Sequence, residues 1–505
     1  MKYLLPIVAF LIIWNFSCKP TDNFDTSSDV MLEFSLDTLR FDTVFTELGS
    51  ATRILKVYNR NKNDIKISKI RIKNNPNNFF RINVDGIAGN EATEVEIAGN
   101  DSLYIFGEVT IDPDNPLSIS PFVIEDYLVF ETNGNTQEVL MEAWGQNANY
   151  IPSRFSKGEE NVLSCEGATF EFSDPKPYVI YGVLFFDSCV VNMPAGTRIH
   201  VHGGLAPRFD MDNMKFLIND GRLIFFNSTL NVNGELNDPV IITGDRLEEP
   251  FADIAGQWWG IYVAGTNPAG KNKINYLEIK NSIIGMAVDN AEVELKNSKI
   301  YNTSNAGLIG LRGRIDAENS LFYNNGSNAV RIIYGGDYNF KHCTLASYGV
   351  DAAALSMNNW LCLEQNELGQ CISCDEYRLN ANFKNSIIFG SRSDEISLEN
   401  GDECDPGSTA DLNYFFEDCI VRVDELTDQE GFENFFDFCN PCQNADNNDA
   451  LFLDPNEDDY HLDTLSIAEG EAEFIDSIQR DLDGFLRASG GMNEFPDVGC
   501  YEYQE

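Results

Sequence analysis

Basic residues are scarce in this chain of 505 amino acids, which carries 35 Lys and Arg against 80 Asp and Glu and a net charge of -45. Such an acidic surface repels phosphate backbones, so we expect no nucleic-acid partner. Histidine is scarce as well, with four residues in the whole chain. This low count weakens the case for an enzyme, because histidine is a common general acid or base near neutral pH.

No apolar run after the first seventeen residues is long enough to cross a bilayer. The run from Leu4 to Phe16 has the length of a signal-peptide core, and it ends just before Cys18. The residues Asn15-Phe16-Ser17-Cys18 resemble a bacterial lipobox, although Asn15 stands where such signals usually carry leucine. The resemblance implies a signal peptide over 1–17 and a lipidated Cys18 followed by a flexible tether over 18–32. The expected location is the outer membrane, lipid-anchored, facing the periplasm or the cell surface.

No cysteine lies in residues 33–146, where short alternating strands are separated by turn signals. This pattern predicts an antiparallel, immunoglobulin-like β-sandwich without the disulfide of true immunoglobulin domains. Eight basic residues and a single acid, Asp64, lie between Arg53 and Lys73. Their alternation with apolar residues favours a solvated strand face over a membrane-binding one.

A repeat organises the second half of the chain. Its apolar anchors Ile279, Ile300, Phe322 and Leu345 are 21, 22 and 23 residues apart. Apolar residues alternate with period two between the anchors, which predicts strands that bury their apolar side only by stacking repeat on repeat. The predicted fold is all-β: a right-handed parallel β-helix, or solenoid, over 178–450 after the sandwich. Residues 147–177 form a junction and 451–505 a C-terminal cap.

Asparagines recur at matching positions of the repeat, at Asn281, Asn302 and Asn324. Stacked repeats bring these side chains together at one corner, where amides can hydrogen-bond along a ladder. A structural turn ladder is favoured over a glycan-binding stripe, because asparagine adopts such turns for conformational reasons alone.

Several segments resemble bacterial cell-envelope lipoproteins that carry right-handed parallel β-helix repeats. The ending, Asp481–Arg487 with Pro496–Glu502, resembles that of surface-anchored β-helix proteins, where alanine is usual in place of Cys500. The resemblance implies a pectin-lyase-like architecture and no particular activity. The residues that carry it are 234–241, 256–260, 276–347 and these two C-terminal motifs.

Trp258 and Trp259 are adjacent, so in a strand of period two one of them must face outward. The outward ring is a candidate for stacking on a sugar, although a role in covering the insertion at 245–255 is favoured. Further insertions are expected at 358–378 and 391–412, and loops of this kind often carry function. Residues 430–438 could form one short helix.

Eleven cysteines remain after Cys18, and seven of them lie between Cys362 and Cys442. Disulfides are the favoured interpretation in an exported protein. A zinc site from the pairs Cys371/Cys374 and Cys439/Cys442 is a weaker alternative, because 64 residues separate the two pairs. Cys343 lies inside a repeat and should pack as a small apolar residue.

Enzymes that cleave polysaccharides need paired acids, or a base with a cation, on one face. The acids of the repeats form no evident row, so the sequence predicts no catalytic residue and no metal ligand. The acids in question are Asp289, Glu292, Glu294, Asp316 and Glu318. The motif Asp481-x-Asp483 could indicate a calcium site, but a structural ion pair of Asp481 or Asp483 with Arg487 is the favoured interpretation.

The sequence as a whole favours a lipid-anchored outer-membrane protein whose solenoid is a non-catalytic binding or structural module. Glycan is the leading ligand class. One alternative is a polysaccharide lyase or glycoside hydrolase built on the same scaffold. A second is a subunit that binds an envelope protein.

Overall fold

The structure is a computed structural model that describes most of the chain after residue 23. The predicted signal peptide and Cys18 lie outside the described residues. No helix in the described part is long and apolar enough to span a membrane. The chain divides into two compact units, Met1–Asn147 and Ala148–Glu505. The described residues are 24–45, 52–75, 78–110, 124–146, 148–153, 160–209, 215–219, 221–247, 252–266, 270–366, 368, 371–401, 411–489 and 495–504.

The first unit consists of two five-stranded sheets that share one apolar core. In several of the strands alternate residues, such as Ile65 and Ile67, point into this core and are fully buried. The strands pair antiparallel, as predicted, with one exception: β2, Thr38–Phe45, pairs with β10, Asn135–Gln146, in parallel. The strands are β1 Glu33–Phe34, β2 Thr38–Phe45, β3 Arg53–Tyr58, β4 Ile65–Ile72, β5 Phe80–Val84, β6 Ile87–Gly89, β7 Glu91–Ile97, β8 Ser102–Val109, β9 Ile124–Thr132 and β10 Asn135–Gln146.

The basic side chains of β4 face solvent and pair with acids on neighbouring strands. Lys69 contacts Glu91 at 2.7 Å, and Lys66 lies 3.2 Å from Glu96. These cross-strand ion pairs explain why the stretch between Arg53 and Lys73 is so basic, because the facing strands carry the acids.

The second unit is a solenoid-like stack of parallel strands, as the repeat predicts. Its strands are β11 Asn149–Ile151, β12 Glu160–Ser164, β13 Thr169–Glu171, β14 Tyr178–Tyr181, β15 Val183–Asp187, β16 Val190–Pro194, β17 Arg198–His202, β18 Leu205–Phe209, β19 Lys215–Asn219, β20 Arg222–Phe226, β21 Thr229–Asn233, β22 Val240–Gly244, β23 Gly260–Ala264, β24 Asn272–Asn275, β25 Leu277–Lys280, β26 Met286–Asp289, β27 Glu292–Lys296, β28 Lys299–Thr303, β29 Leu308–Glu318, β30 Leu321–Asn325, β31 Val330–Lys341, β32 Thr344–Ser347, β33 Leu355–Asn358, β34 Trp360–Gln365, β35 Cys371–Glu376, β36 Leu379–Lys384, β37 Ile387–Gly390, β38 Ile396–Glu399, β39 Leu412–Glu417, β40 Cys419–Val421, β41 Cys442–Asn444, β42 Phe452–Asp454 and β43 Asp459–Leu462.

Three parallel stacks of strands surround the core. Sheet A is an eleven-stranded sheet in the order β11-β14-β17-β22-β25-β28-β30-β32-β37-β40-β41. Arm B runs through β12, β15, β20, β23, β26, the first halves of β29 and β31, then β33 and β38. Arm C runs through β13, β16, β21, β24, β27, the second halves of β29 and β31, then β36 and β39. Each turn of the chain visits arm B, arm C and sheet A in that order.

The inward side chains of successive turns stack on one another. Phe383 lies 4.9 Å from Phe340 and 4.8 Å from Phe416 between ring centroids, with nearly parallel planes. At the end of the stack, Phe435 is fully buried at 5.6 Å from Phe416 and closes the core. Phe435 begins a single 3₁₀ turn, Phe435–Asp437, where the sequence suggested one longer helix.

Asparagines at the corners hold the left-handed backbone conformation that the turns require. Asn281, Asn302 and Asn324 have φ angles of 64°, 52° and 49°. The side chain of Asn302 donates from Nδ2 to Asn281 Oδ1 at 2.7 Å and also to the carbonyl oxygen of Asp253. The amides therefore serve the fold, because asparagine adopts positive φ with little strain and links one turn to the next.

The C-terminal segment, described over residues 451–489 and 495–504, lies along the outer side of sheet A. Outward residues of sheet A share one apolar cluster with this segment and are buried beneath it. The predicted cap is therefore a lateral cover. The buried sheet residues are Leu321, Ala346, Ile387, Phe389 and Ile420.

Candidate functional site

Arm C presents a long polar outer surface. Strand alternation sends every second residue of arm C outward, and the parallel register aligns these residues from turn to turn. We define the polar face as two such rows. The first is Asn192, Asn231, Lys273, Glu294, Asp316, Asn339, Asn382 and Phe415. The second is Glu292, Arg314, Asp337, Asn380 and Asn413.

Three shallow grooves lie on the polar face and its margins. The first, of about 590 Å³, is lined by Asn192, Asn231 and Asn233 with flanking acids. The second, of about 540 Å³, adds Lys271, Lys273 and Glu294. The third, of about 560 Å³, lies at the opposite end of the face. Its lining includes Arg314, Asp337, Arg378, Asn380, Asn382, Asn413 and Phe415.

The middle of the polar face is a network of ion pairs across three turns. Lys271 contacts Glu292 at 2.9 Å and Asp316 at 3.6 Å, and Arg314 Nε lies 3.3 Å and 3.5 Å from the same two carboxylates. Two of the acids that the sequence shows as scattered, Glu292 and Asp316, thus share the same two cations, although the five acids of the repeats do not form a single row. The spacing of whole turns aligns residues that the sequence shows only as scattered charges.

Asp316 remains ionised within this network. Burial opposes ionisation, but a hydrogen bond from Asn339 and the charges of Arg314 and Lys271 outweigh it and hold the pKa of Asp316 below its usual value. A carboxylate in this state accepts hydrogen bonds and is a poor general acid. Lys273 differs from its neighbours, because it is exposed and contacts no acid among the described residues.

Side-chain amides link the last turns of the polar face into two ladders. Asn413 donates from Nδ2 to Asn380 Oδ1 at 3.1 Å, and Asn380 donates to Asp337 Oδ1 at 2.8 Å. In the parallel ladder Asn382 donates to Asn339 at 3.1 Å, and that residue donates to Asp316 at 2.7 Å. Both ladders therefore end on a carboxylate and point in one direction along the solenoid.

The two tryptophans occupy different environments. Trp258 is fully buried, and its Nε1 donates to the carbonyl oxygen of Lys280 at 3.0 Å. Trp259 is partly exposed on arm B, where the guanidinium of Arg222 lies 4.6 Å from its ring centroid. Of the two predicted stacking residues only Trp259 reaches the surface. It packs there among apolar side chains such as Tyr262, and it is not part of the polar face.

Disulfides account for most of the described cysteines. Three pairs lie wholly within the described residues, Cys165–Cys189, Cys362–Cys371 and Cys439–Cys442, and Cys374 is disulfide-bonded as well. The zinc alternative is wrong, because Cys371, Cys439 and Cys442 are bonded to other cysteines and offer no thiolate ligands. Cys343 is buried and free, as predicted, and Cys419 and Cys500 are in the same state.

The C-terminal acids are structural. Asp481 accepts hydrogen bonds from the backbone N–H groups of Asp483, Phe485 and Glu502, so its oxygens are already occupied. The prediction that Asp481 or Asp483 pairs with Arg487 was wrong, because the guanidinium donates to Glu502 at 2.5 Å. Because these oxygens already accept hydrogen bonds, the contacts do not favour the weak prediction of calcium binding.

One group of acids outside the polar face has the spacing of metal ligands. Glu417, Asp418 and Glu473 offer carboxylate oxygens within 4.8 Å of one another. The ammonium of Lys384 contacts Glu417 at 3.0 Å and also contacts Glu473. A side-chain cation thus already pairs with two of the three carboxylates, so the group by itself identifies no metal site.

Comparison with known proteins identifies no family. No family model and no curated protein matches the sequence. Several solved structures align weakly, including the following three. A protein of unknown function from Porphyromonas gingivalis W83 is 13% identical over 28% of this chain and 59% of its own length, with a TM-score of 0.17. The chain thus spans less than two thirds of that structure.

The other two alignments are no stronger. A family 123 glycoside hydrolase from Clostridium perfringens is 6% identical over 24% of this chain and 30% of its own, with a TM-score of 0.17. The Agl-KA catalytic domain is 10% identical over 73% of this chain and 77% of its own, with a TM-score of 0.23. At these scores the likenesses carry no argument about function.

Proposed function

We propose that the solenoid binds a linear glycan along its polar face without cleaving it. The observation that carries this proposal is the alignment of three grooves along one surface lined by amides and ion-paired side chains. Amide groups both donate and accept hydrogen bonds, which suits the hydroxyls of a sugar chain. A stack of strands roughly 4.8 Å apart also gives an extended surface that suits an extended ligand.

The remaining parts of the chain fit an envelope protein. In this proposal the solenoid is a right-handed parallel β-helix, the first unit is an immunoglobulin-like spacer, and lipidated Cys18 anchors the chain to the outer membrane. Disulfides support export, because they persist in oxidising compartments. Incorporation of labelled palmitate, lost in Cys18→Ser, tests the anchor.

The binding test uses the chain with Cys18→Ser, purified without its lipid, against a panel of neutral and acidic polysaccharides in affinity electrophoresis. We expect retardation by at least one polysaccharide, weakened in an Asn231→Ala, Lys273→Gln double variant. The control Lys62→Gln removes the same charge from an exposed lysine of the first unit. Equal retardation of the double variant and the control would exclude the polar face as the binding surface, and no retardation by any polysaccharide would reject glycan binding.

An enzyme is the second candidate, because cationic and acidic side chains cluster across three turns around Arg314. Elimination from a uronate requires a base and a cation near the substrate carboxylate, and hydrolysis requires an available acid. The lowered pKa of Asp316 counts against a general acid there. The same incubations, assayed for new reducing ends and unsaturated uronates, should give no product. Product that disappears in Arg314→Gln would replace the binding proposal with catalysis.

The envelope-partner alternative has its own surface. The antiparallel hairpin β34–β35 exposes Leu361, Leu363 and Ile372, and the Cys362–Cys371 disulfide braces it. Exposed apolar side chains grouped on one element are typical of protein contacts. Cross-linking in cells that is lost in a Leu363→Ser, Ile372→Ser variant, with glycan retention unchanged, would favour this alternative.

A further inference from the structure

The groove at the C-terminal end of the polar face differs from the other two in containing an exposed aromatic ring. Phe415 is aligned with Asn382 across β36 and β39, and its side chain is 40% exposed. Strand β39 is the last strand of arm C among the described residues. Beyond it the chain pairs with β39 only around Phe416, through Phe438 and Asn440, and the Phe415 ring stays exposed. Single exposed apolar residues are common, so the ring alone identifies no site. Its polar neighbours provide the second observation.

The direction of the amide ladders leaves acceptors unused beside this ring. Every amide donates away from the end of the solenoid, from Asn413 to Asn380 and from Asn382 to Asn339. The last carbonyl oxygens, Asn382 Oδ1 and Asn413 Oδ1, therefore accept no side-chain or backbone hydrogen bond from any described residue. Both side chains are exposed. Two free acceptors thus lie next to one free aromatic face.

The charges of this groove are already neutralised within the protein. Arg378 donates from Nη1 and Nη2 to the two carboxylate oxygens of Asp337, each at 3.1 Å. Arg314 is paired with Glu292 and Asp316. An acidic ligand would have to compete with these bidentate and networked contacts, whereas a neutral ligand would not. The groove that contains Lys273 differs, because this lysine pairs with no acid among the described residues and could attract an acidic ligand.

We propose that this groove is a subsite for one neutral pyranose unit of a glycan. In this arrangement Phe415 packs against the C–H face of the ring, and hydroxyls donate to the free oxygens of Asn382 and Asn413. The volume of about 560 Å³ lies within the range of roughly 300–1,000 Å³ usual for ligand pockets. The subsite rests on the proposed glycan-binding function and adds a sugar class and a position to it.

The test measures the affinity of the Cys18→Ser chain for a neutral polysaccharide that it retains, by isothermal titration calorimetry. Phe415→Ala should weaken binding roughly tenfold, as expected for loss of one stacking ring, and Phe415→Trp should restore it. Asn382→Ala should weaken binding as well. The matched control is Phe226→Ala, because Phe226 is 41% exposed on β20 of arm B.

The outcomes separate this subsite from the general proposal. If Phe415→Ala binds like wild type while the Asn231→Ala, Lys273→Gln variant does not, the subsite is wrong and the polar face still binds glycan. Equal loss in Phe415→Ala and Phe226→Ala would also overturn the subsite. Retention of acidic polysaccharides alone would reject the neutral sugar class, and retention of none would reject glycan binding itself.

Discussion

The outer side of sheet A and the polar face of arm C belong to the same turns of the chain, but the first is buried and the second is exposed to solvent. Sheet A presents apolar residues outward, such as Ile387 and Phe389, and the C-terminal segment buries them. Arm C presents amides and ion pairs outward, and Asn382 and Phe415 remain exposed in the described structure. Inward residues thus determine that the chain stacks, whereas outward residues determine which side is covered and which is available to a ligand.

A buried polar network attaches the C-terminal segment to sheet A. The Arg487 side chain is fully buried and donates to Glu502, to the carbonyl oxygen of Gly499 and, at 2.8 Å, to Asn319 Oδ1 in the turn between β29 and β30. Segment and solenoid are therefore joined by directional bonds as well as apolar contact. No comparable cover is seen over the polar face in the described residues.

The largest expected effect in this comparison comes from Arg487→Ala. Loss of the guanidinium leaves the buried Glu502 carboxyl without its charged partner and with only the hydrogen bond from the Asp497 N–H, and breaking a buried pair in this way typically costs about 3–5 kcal/mol. Chemical denaturation should show this loss, and hydrogen exchange should increase around Asn319, in the turn that leads into sheet A. Arg480→Ala is the control, because Arg480 is an exposed arginine of the same segment. Equal stability of the two variants would show that the cover does not depend on the buried pair.

The sequence predicted the features that depend on local pattern. Period-two alternation and recurring anchors such as Ile300 and Phe322 predicted stacked strands, and the corner asparagines predicted turns. The register of the polar face was not predictable in this way, because the insertion between β31 and β36 separates Asn339 from Asn382 by 43 residues. The hydrogen bond from Arg487 to Asn319 was missed for a related reason, since the two residues are 168 positions apart in the chain.

A smaller expected effect is a pH dependence of stability, which differs in sign between a buried carboxyl and one on the polar face. Glu395 is fully buried and accepts hydrogen bonds from the backbone N–H groups of Ala354 and Arg392 at 2.8 and 2.7 Å. Burial raises its pKa to about 7, although these bonds and nearby arginines oppose the rise. Because the folded state holds the proton more tightly, this contribution to stability is complete below about pH 4.5 and is lost as pH rises through about 7.

Denaturation midpoints from pH 4.5 to 8 test this dependence as a difference between wild type and Glu395→Gln. At about 1.4 kcal/mol per pKa unit, wild type should lose roughly 3 kcal/mol relative to the variant across that range. Asp316→Asn on the polar face should behave in the opposite sense, which requires the series to be extended below about pH 4. The pKa of Asp316 is lowered, so its contribution is present at neutral pH and is lost in acid. A pH-independent difference for Glu395→Gln would contradict the buried titration.

The smallest expected effect is that of Arg314→Gln on the polar face. Like Arg487, Arg314 contacts two polar side chains, but its own side chain is 51% exposed and water screens both ion pairs. Exposed pairs of this kind contribute about 0–1 kcal/mol, and less at high salt. Denaturation at low and high salt should therefore show a change below about 1 kcal/mol that shrinks as salt is added. A loss as large as that of Arg487→Ala would mean that the polar face is covered by protein in solution, and it would remove the surface on which a glycan is proposed to bind.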